Sequence, residues 1–361
     1  MGENMGNNGV FIALYDYESL KLYLKNGIYG FLMSPIEEDI SSRSNHYKVL
    51  SDYACLREGT HVFFFLKRTI IYGGQIIGSR ENASFFLNGS YSPLCRKANA
   101  NLSWDESKRQ NYYSTDKKGI FKIDEDRERC QPYLIRFEDY KGIKGNYIVS
   151  DDLYVNVGRY PYPLPSNSMQ DMGFCILTPG EVEIALELLI KSENKINLED
   201  VEKILVEEPL KLFSVDYGIK NFEEERIINE SHLEFSLLSN KKLLSKFVKL
   251  PEKYLLSRQI PISPFKPYQM DRADICIYDI ENPINKGTLP NIIIELKKDK
   301  ANKDALYQVE RYLKWLDILI SDKDVLSSIK AYIIADGFTK NMNELLLNSK
   351  FVNQIELVNY K

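Results

Sequence analysis

Histidine is scarce in this chain, and the scarcity already excludes some chemistry. There are three histidines and five cysteines, Cys55, Cys95, Cys130, Cys175 and Cys276, and no two cysteines form a Cys-x-x-Cys pair. That composition argues against a structural zinc site. An odd number of widely spaced cysteines reads as reduced, buried thiols rather than a disulfide framework. No apolar run approaches the ~20 residues of a membrane span. The first eight residues are polar, rich in Gly and Asn, and lack the basic start and apolar stretch of a secretory signal. The expectation is a soluble, cytoplasmic chain with no membrane partner. Neither sign of charge dominates, the net being −4 over 361 residues. This excludes a globally basic nucleic-acid binder but leaves room for a local basic groove. Apolar residues at 44% and charged residues at 27% are ordinary for a globular protein, whose length here suits two domains.

Along the chain the rhythm changes near residue 190. Residues 9 to 176 read mostly as short strands and loops, among them "VFIALYD" (10–16), "PYLIRFED" (132–139) and "GFCILT" (173–178). In "THVFFFLKRTIIYGGQIIG" (60–78), two β-rich runs flank a short basic break, and Gly73-Gly74 marks a bulge or bend. Thr178-Pro179-Gly180-Glu181 starts a helix: Thr caps, Pro suits the first position, and Glu sits three residues after the cap. Residues 191–225 read as a charged, helical linker between a β-rich unit over 1–190 and a second unit over 226–361. In the second unit "ESHLEFSLLSNKKLLSKF" (230–247) and "NKDALYQVERYLKWLDILI" (302–320) carry apolar residues at helical spacing. "ADICIYD" (273–279), "NIIIELK" (291–297), "KAYIIAD" (330–336) and "QIELVNY" (354–360) read as strands. Helices alternating with strands in this order suit a mixed sheet flanked by helices.

The chemistry concentrates in "NIIIELK". Glu295 and Lys297 lie two residues apart, so on a strand they share a face. The three preceding isoleucines mark a buried central strand, where a charged pair is costly unless it opens on a cleft. Antiparallel pairing with "ADICIYD" through the 280–290 loop would bring Asp274 to the Glu295 end. Two such carboxylates repel as anions and become a stable pair when they share a divalent cation, for which Mg²⁺ with oxygen ligands is suited. A cation there polarises a phosphodiester and lowers the pKa of a bound water. A lysine two residues on can orient that water or stabilise charge in the transition state. Alone, Glu-x-Lys at a strand end is a weak signal; its order among the neighbouring elements strengthens it.

Taken in sequence, Glu234 in "ESHLE", Asp274 in "RADI", Glu295 and Lys297 in "IELK", and Gln308 to Tyr312 in "QVERY" resemble the PD-(D/E)XK nuclease superfamily. The resemblance is greatest to its archaeal and actinobacterial mismatch and single-strand endonucleases, and it covers about a third of the chain. Ala273 stands where a proline often precedes the family's Asp. The resemblance implies a restriction-endonuclease-like α/β domain that cuts DNA, with Mg²⁺ as cofactor and Mn²⁺ able to substitute. It makes Asp274 and Glu295 the metal ligands and adds Lys297, Glu234 and Gln308 to the catalytic set. Arg272, Lys298 and Tyr312 would contact DNA. Two plainer readings stay open: Ser231 to Glu234 also fits a helix capping box, and Gln308 with Tyr312, four apart on a helix, also fits packing.

The first half carries a looser resemblance. "NGIYGF" (26–31) followed by "LREGTHVFFFLKRTIIYGGQIIG" (56–78) is similar to the mainly β, PUA-like domains that include EVE modules, although Arg57-Glu58-Gly59-Thr60 lacks the usual Asp of their turn. That resemblance implies a pocket for a DNA feature or modified base, with Trp104 and Tyr113 as stacking candidates. The expected function is a restriction or defence endonuclease whose partners are DNA and, optionally, a second copy of the chain. A repair nuclease for mismatched or branched DNA is the alternative within the enzyme class. A catalytically idle DNA-binding module is the alternative outside it, and the intact Asp274, Glu295 and Lys297 set weighs against it.

Overall fold

The computed structural model describes residues 7–14, 16–31, 40–77, 84–87, 133–152, 174–201, 211–214, 227–263 and 271–361. The first half opens with β1 (Gly9–Ala13) and then a helix, α1 (Tyr17–Asn26), which the Asp16 carboxylate caps by accepting from the Ser19 amide at 2.6 Å. The helix stops at Gly27, whose φ of 62° suits a residue without Cβ. After β2 (Ile28–Tyr29) comes a second helix, α2 (Ile40–Ala54). These two helices are not among the strands and loops that the sequence mostly suggests here. There follow β3 (His61–Leu66), β4 (Thr69–Ile76), β5 (Ser84–Leu87), β6 (Tyr133–Glu138), β7 (Tyr147–Val149) and β8 (Cys175–Leu177).

Lys67 and Arg68, the basic break, form the turn between β3 and β4, with φ of 48° and 64°. The pairing of those strands slips between Val62 and Phe63, opposite Gly74 and Tyr72, which is the bend expected at Gly73-Gly74. A Cβ on Gly74 would lie 2.1 Å from the Glu138 carbonyl, so the close crossing with β6 requires glycine. Among the described residues these strands and Lys211–Ser214 (β9) form one sheet in the order β8-β1-β3-β4-β6-β5-β9, with β2 beside β6 and β7 beside β4. The β1–β3 pairing is parallel, so the sheet is mixed.

The helix α3 (Pro179–Lys191) begins with the expected capping box, Thr178 and Glu181 each bonding the other's backbone amide. Beyond it the linker reading needs correction. Lys211–Ser214 is a strand, β9, paired antiparallel with β5, because an open sheet edge supplies the backbone partners that a helix would otherwise supply internally.

The second half contains α4 (Glu230–Ser239), α5 (Lys241–Phe247), β10 (Tyr254–Pro261), β11 (Arg272–Asp279), β12 (Ile292–Lys297), α6 (Lys303–Leu319), α7 (Lys323–Ser328), β13 (Lys330–Ala335), α8 (Met342–Leu347) and β14 (Ile355–Asn359). Its sheet runs β10-β11-β12-β13-β14, the first two pairings antiparallel and the last two parallel. This is the mixed sheet flanked by helices that the order of elements predicts. Asn240 divides the helical stretch 230–247 in two, its side chain capping α5 by accepting from the Leu243 amide.

Alternate residues of β11 and β12 enter two different cores. Cys276, Tyr278 and Ile293 pack with Ala305, Val309, Leu313 and Leu316 of α6. Ile275, Ile277, Ile294 and Leu296 pack with Leu233, Phe235 and Leu237 of α4, and that cluster continues into Leu20, Tyr53 and Phe64 of the first half. Tyr47 of α2 also stacks on His232 at 4.5 Å and 6°. The two segments that composition separates therefore share a core. Cys55, Cys175 and Cys276 are buried free thiols, whereas Cys95 and Cys130 lie outside the described residues. No helix among the described residues is long and apolar enough to cross a membrane.

Candidate active site

Asp274 and Glu295 meet because of strand register. The β11–β12 pairing runs through Ile275 and Ile294, and one step further sets Asp274 beside Glu295. There the backbone ladder gives way to a side chain, since the Leu296 amide donates to Asp274 Oδ2 at 2.8 Å. Glu295 is buried, at 1% exposure. Its Oε1 accepts from Lys297 Nζ at 2.7 Å, and its Oε2 lies 3.0 Å from the Tyr312 hydroxyl. That hydroxyl accepts from Gln308 Nε2 at 2.7 Å and directs its own proton to Glu295 or to the Arg272 carbonyl, 2.7 Å away.

The charges are out of balance in this corner. Burial drives the Asp274 carboxyl well above the usual carboxylate range, and the neighbouring Glu295 and Glu234 push it the same way. Burial also raises Glu295, against the pull of the Lys297 ammonium and the Tyr312 hydroxyl. For Lys297 burial acts downward, but the Glu295 carboxylate outweighs it and the net shift is upward. Two carboxylates thus share one ammonium. A hard divalent cation would suit this donor set, since its charge would favour the ionised form of two neighbouring carboxyl groups that burial pushes toward protonation. No group of three or more His, Cys, Asp or Glu gathers into a metal cage among the described residues. A pair of carboxylates suits an ion that keeps waters and substrate oxygens in its shell, as Mg²⁺ does.

The remaining expected residues are placed differently. Glu234 is not a cap, because Asn229 caps α4 by accepting from the His232 amide at 2.8 Å. Glu234 is instead buried in a two-pronged ion pair with Arg258, Nε to Oε1 at 3.0 Å and Nη2 to Oε2 at 2.6 Å. The third arm of Arg258, Nη1, reaches Asp52 Oδ1 of α2 at 2.6 Å. Glu234 is linked to the site through Gln259, whose Nε2 lies 3.3 Å from Glu234 Oε1 and 3.0 Å from Asp274 Oδ1. Tyr312, expected to contact DNA, is fully buried; its ring fills the α6 core and its hydroxyl serves Glu295. Gln308 bonds Tyr312, so among the contacts seen here it acts on Glu295 through the phenol.

Arg272 and Lys298 are half-buried. Trp104 and Tyr113 lie outside the described residues. Sequence reasoning missed β10, and with it Arg258 and Gln259. The available signal was "YLLSRQIP" (254–261), where Arg and Gln interrupt a strand-prone apolar run.

No family model matches the sequence, and no curated protein matches it. Two solved structures are similar to parts of it. One is a repair endonuclease from Pyrococcus abyssi, 18% identical with a TM-score of 0.25, the match covering 40% of this chain and 50% of that one. The other is EndoMS in complex with dsDNA, 15% identical with a TM-score of 0.23, covering 39% of this chain and 48% of that one. The chain spans about half the length of the structures it matches. Likeness at this level assigns no roles to residues; those rest on the site itself.

Proposed function

We propose that this chain is a Mg²⁺-dependent DNA endonuclease that hydrolyses phosphodiester bonds at Asp274, Glu295 and Lys297, with Mn²⁺ able to replace Mg²⁺. The observation that carries the reading is the meeting of two carboxylates on neighbouring strands with a lysine bonded to one of them. Asp274 and Glu295 would hold the cation, which when bound polarises the phosphodiester and acidifies a water. The Lys297 ammonium, fixed on Glu295 Oε1 at 2.7 Å, is available to orient the attacking water or to stabilise developing charge. Tyr312 keeps Glu295 Oε2 in place, and Gln308 keeps Tyr312 in place.

A site of this kind contacts mainly phosphates, which carry no base identity. We assign reading to the first half, as a PUA-like module for a DNA feature or modified base in a restriction or defence role. Arg272 and Lys298 would contact DNA near the cut, with Trp104 and Tyr113 as stacking candidates. The test is incubation with plasmids from modifying and non-modifying hosts, and with a mismatched duplex, in Mg²⁺ or EDTA. Cleavage should require Mg²⁺ and vanish in Glu295→Ala. Cleavage by Glu295→Ala at the wild-type rate would place the site elsewhere, and preference for the mismatched duplex would point to repair.

A further inference from the structure

Gln259 stands out by its backbone. Its φ is 52°, and among the described residues it is the one non-glycine with positive φ inside a strand. The other five, Lys67, Arg68, Lys141, Asn285 and Lys286, lie between strands. A side chain makes this left-handed conformation unfavourable, whereas glycine adopts it freely. No residue is inserted here, since Arg258 pairs with Ile275 and Ile260 with Ala273 without a slip. The residues facing each other at the kink are Gln259 and Asp274. Alternation is reset at that point, so Leu255 and Ile260 both enter the core beside α6.

We propose that Gln259 is a positioning residue that orients the Asp274 carboxylate before any cation arrives. Its Nε2 holds Oδ1 at 3.0 Å while the Leu296 amide holds Oδ2 at 2.8 Å, so both oxygens are fixed from the protein. Fixing them turns the carboxyl group beside Glu295 into a preformed half-site and spares the reordering that binding would otherwise require. The amide is itself held. It also touches Glu234, which Arg258 ties to Asp52 on α2, so the orientation of Asp274 depends on how the first half docks. The consequence for cleavage rests on the nuclease reading; the orientation of Asp274 does not.

The test uses full-length wild type and Gln259→Gly. Glycine relieves the backbone strain and removes the amide, so it separates positioning from structure. Without metal, Gln259→Gly should melt at or above the wild-type temperature. Hydrogen exchange at the Leu296 amide should quicken about tenfold, since its acceptor is no longer fixed. With Mg²⁺ and plasmid DNA, kcat should fall roughly tenfold or more while KM stays within about twofold. Unchanged exchange overturns the proposal. A lowered melting temperature also overturns it, because the residue is then structural. Wild-type kcat in the variant refutes the link to cleavage. If the wild type itself cuts nothing, the nuclease reading fails and exchange at Leu296 alone decides the positioning claim. Should Gln259→Gly not fold, Gln259→Asn replaces it: asparagine tolerates this φ and its shorter amide falls short of Asp274.

Discussion

Lys297 and Glu295 hold each other so closely that removing the lysine tests both. In Lys297→Ala the Glu295 carboxylate loses its ammonium partner at 2.7 Å. Cleavage should fall by roughly 10²–10⁴ in single-turnover assays, with DNA binding and circular dichroism close to wild type. A second residue-scale prediction concerns Glu181. Burial raises its pKa to about 8, despite the bonds from Thr178, and Oε1 is buried with no hydrogen-bond partner among the described residues. A carboxyl raised in the fold favours folding while it is protonated. Its contribution is therefore complete below the ordinary value of 4.5 and is lost as pH rises through about 8. Across that window stability should drop by roughly 1.4 kcal/mol per pH unit from this group. Thermal melts of Glu181→Gln should lose that slope, and an unchanged slope would assign it to other groups.

Among the elements, β10 carries the largest structural consequence. Arg258 lies buried between Glu234 of α4 and Asp52 of α2, and so joins a helix of the second half to one of the first. Arg258→Leu should strand two buried acids and destabilise the fold by about 3–5 kcal/mol, read as a lower urea midpoint at pH 7. An Asp52→Asn/Glu234→Gln/Arg258→Leu triple variant should recover much of that loss, since no charge is left unpaired. This strand was not legible in the sequence, and the reason is physical. Arg258 and Gln259 are polar positions whose partners lie 15 to 206 residues away, and period-2 patterning registers only hydrophobic faces. The strands β11 and β12 were legible because their unbroken apolar runs, Ile275 to Tyr278 and Ile292 to Ile294, report burial on both faces directly. Asp274, Glu295 and Lys297 were legible because charge at the end of such a run is costly. The role of Tyr312 was not, since its burial depends on how α6 lies on the sheet. The helices α1 and α2 went unread because tyrosine, serine and asparagine dilute their apolar periodicity.

At the scale of the whole molecule, the shared core decides what can be separated. Leu233, Phe235, Ile275 and Ile294 lie in one cluster with Leu20, Tyr53 and Phe64. A fragment of residues 222–361 should therefore expose an apolar face, bind a hydrophobic dye and melt without cooperativity. Adding residues 1–221 in trans should restore a cooperative transition, and a sharp melt of the fragment alone would show that the shared packing matters little. The helix α6 shows a related effect. One face of it supplies Ala305, Leu306, Val309, Leu313 and Leu316 to the core and, at Tyr312, a hydroxyl to Glu295. Packing and chemistry share that stripe, so a saturation scan for activity should not ring the carboxylates alone. Its footprint should run the length of α6, with inactive variants at positions more than a turn away from any charged group of the site.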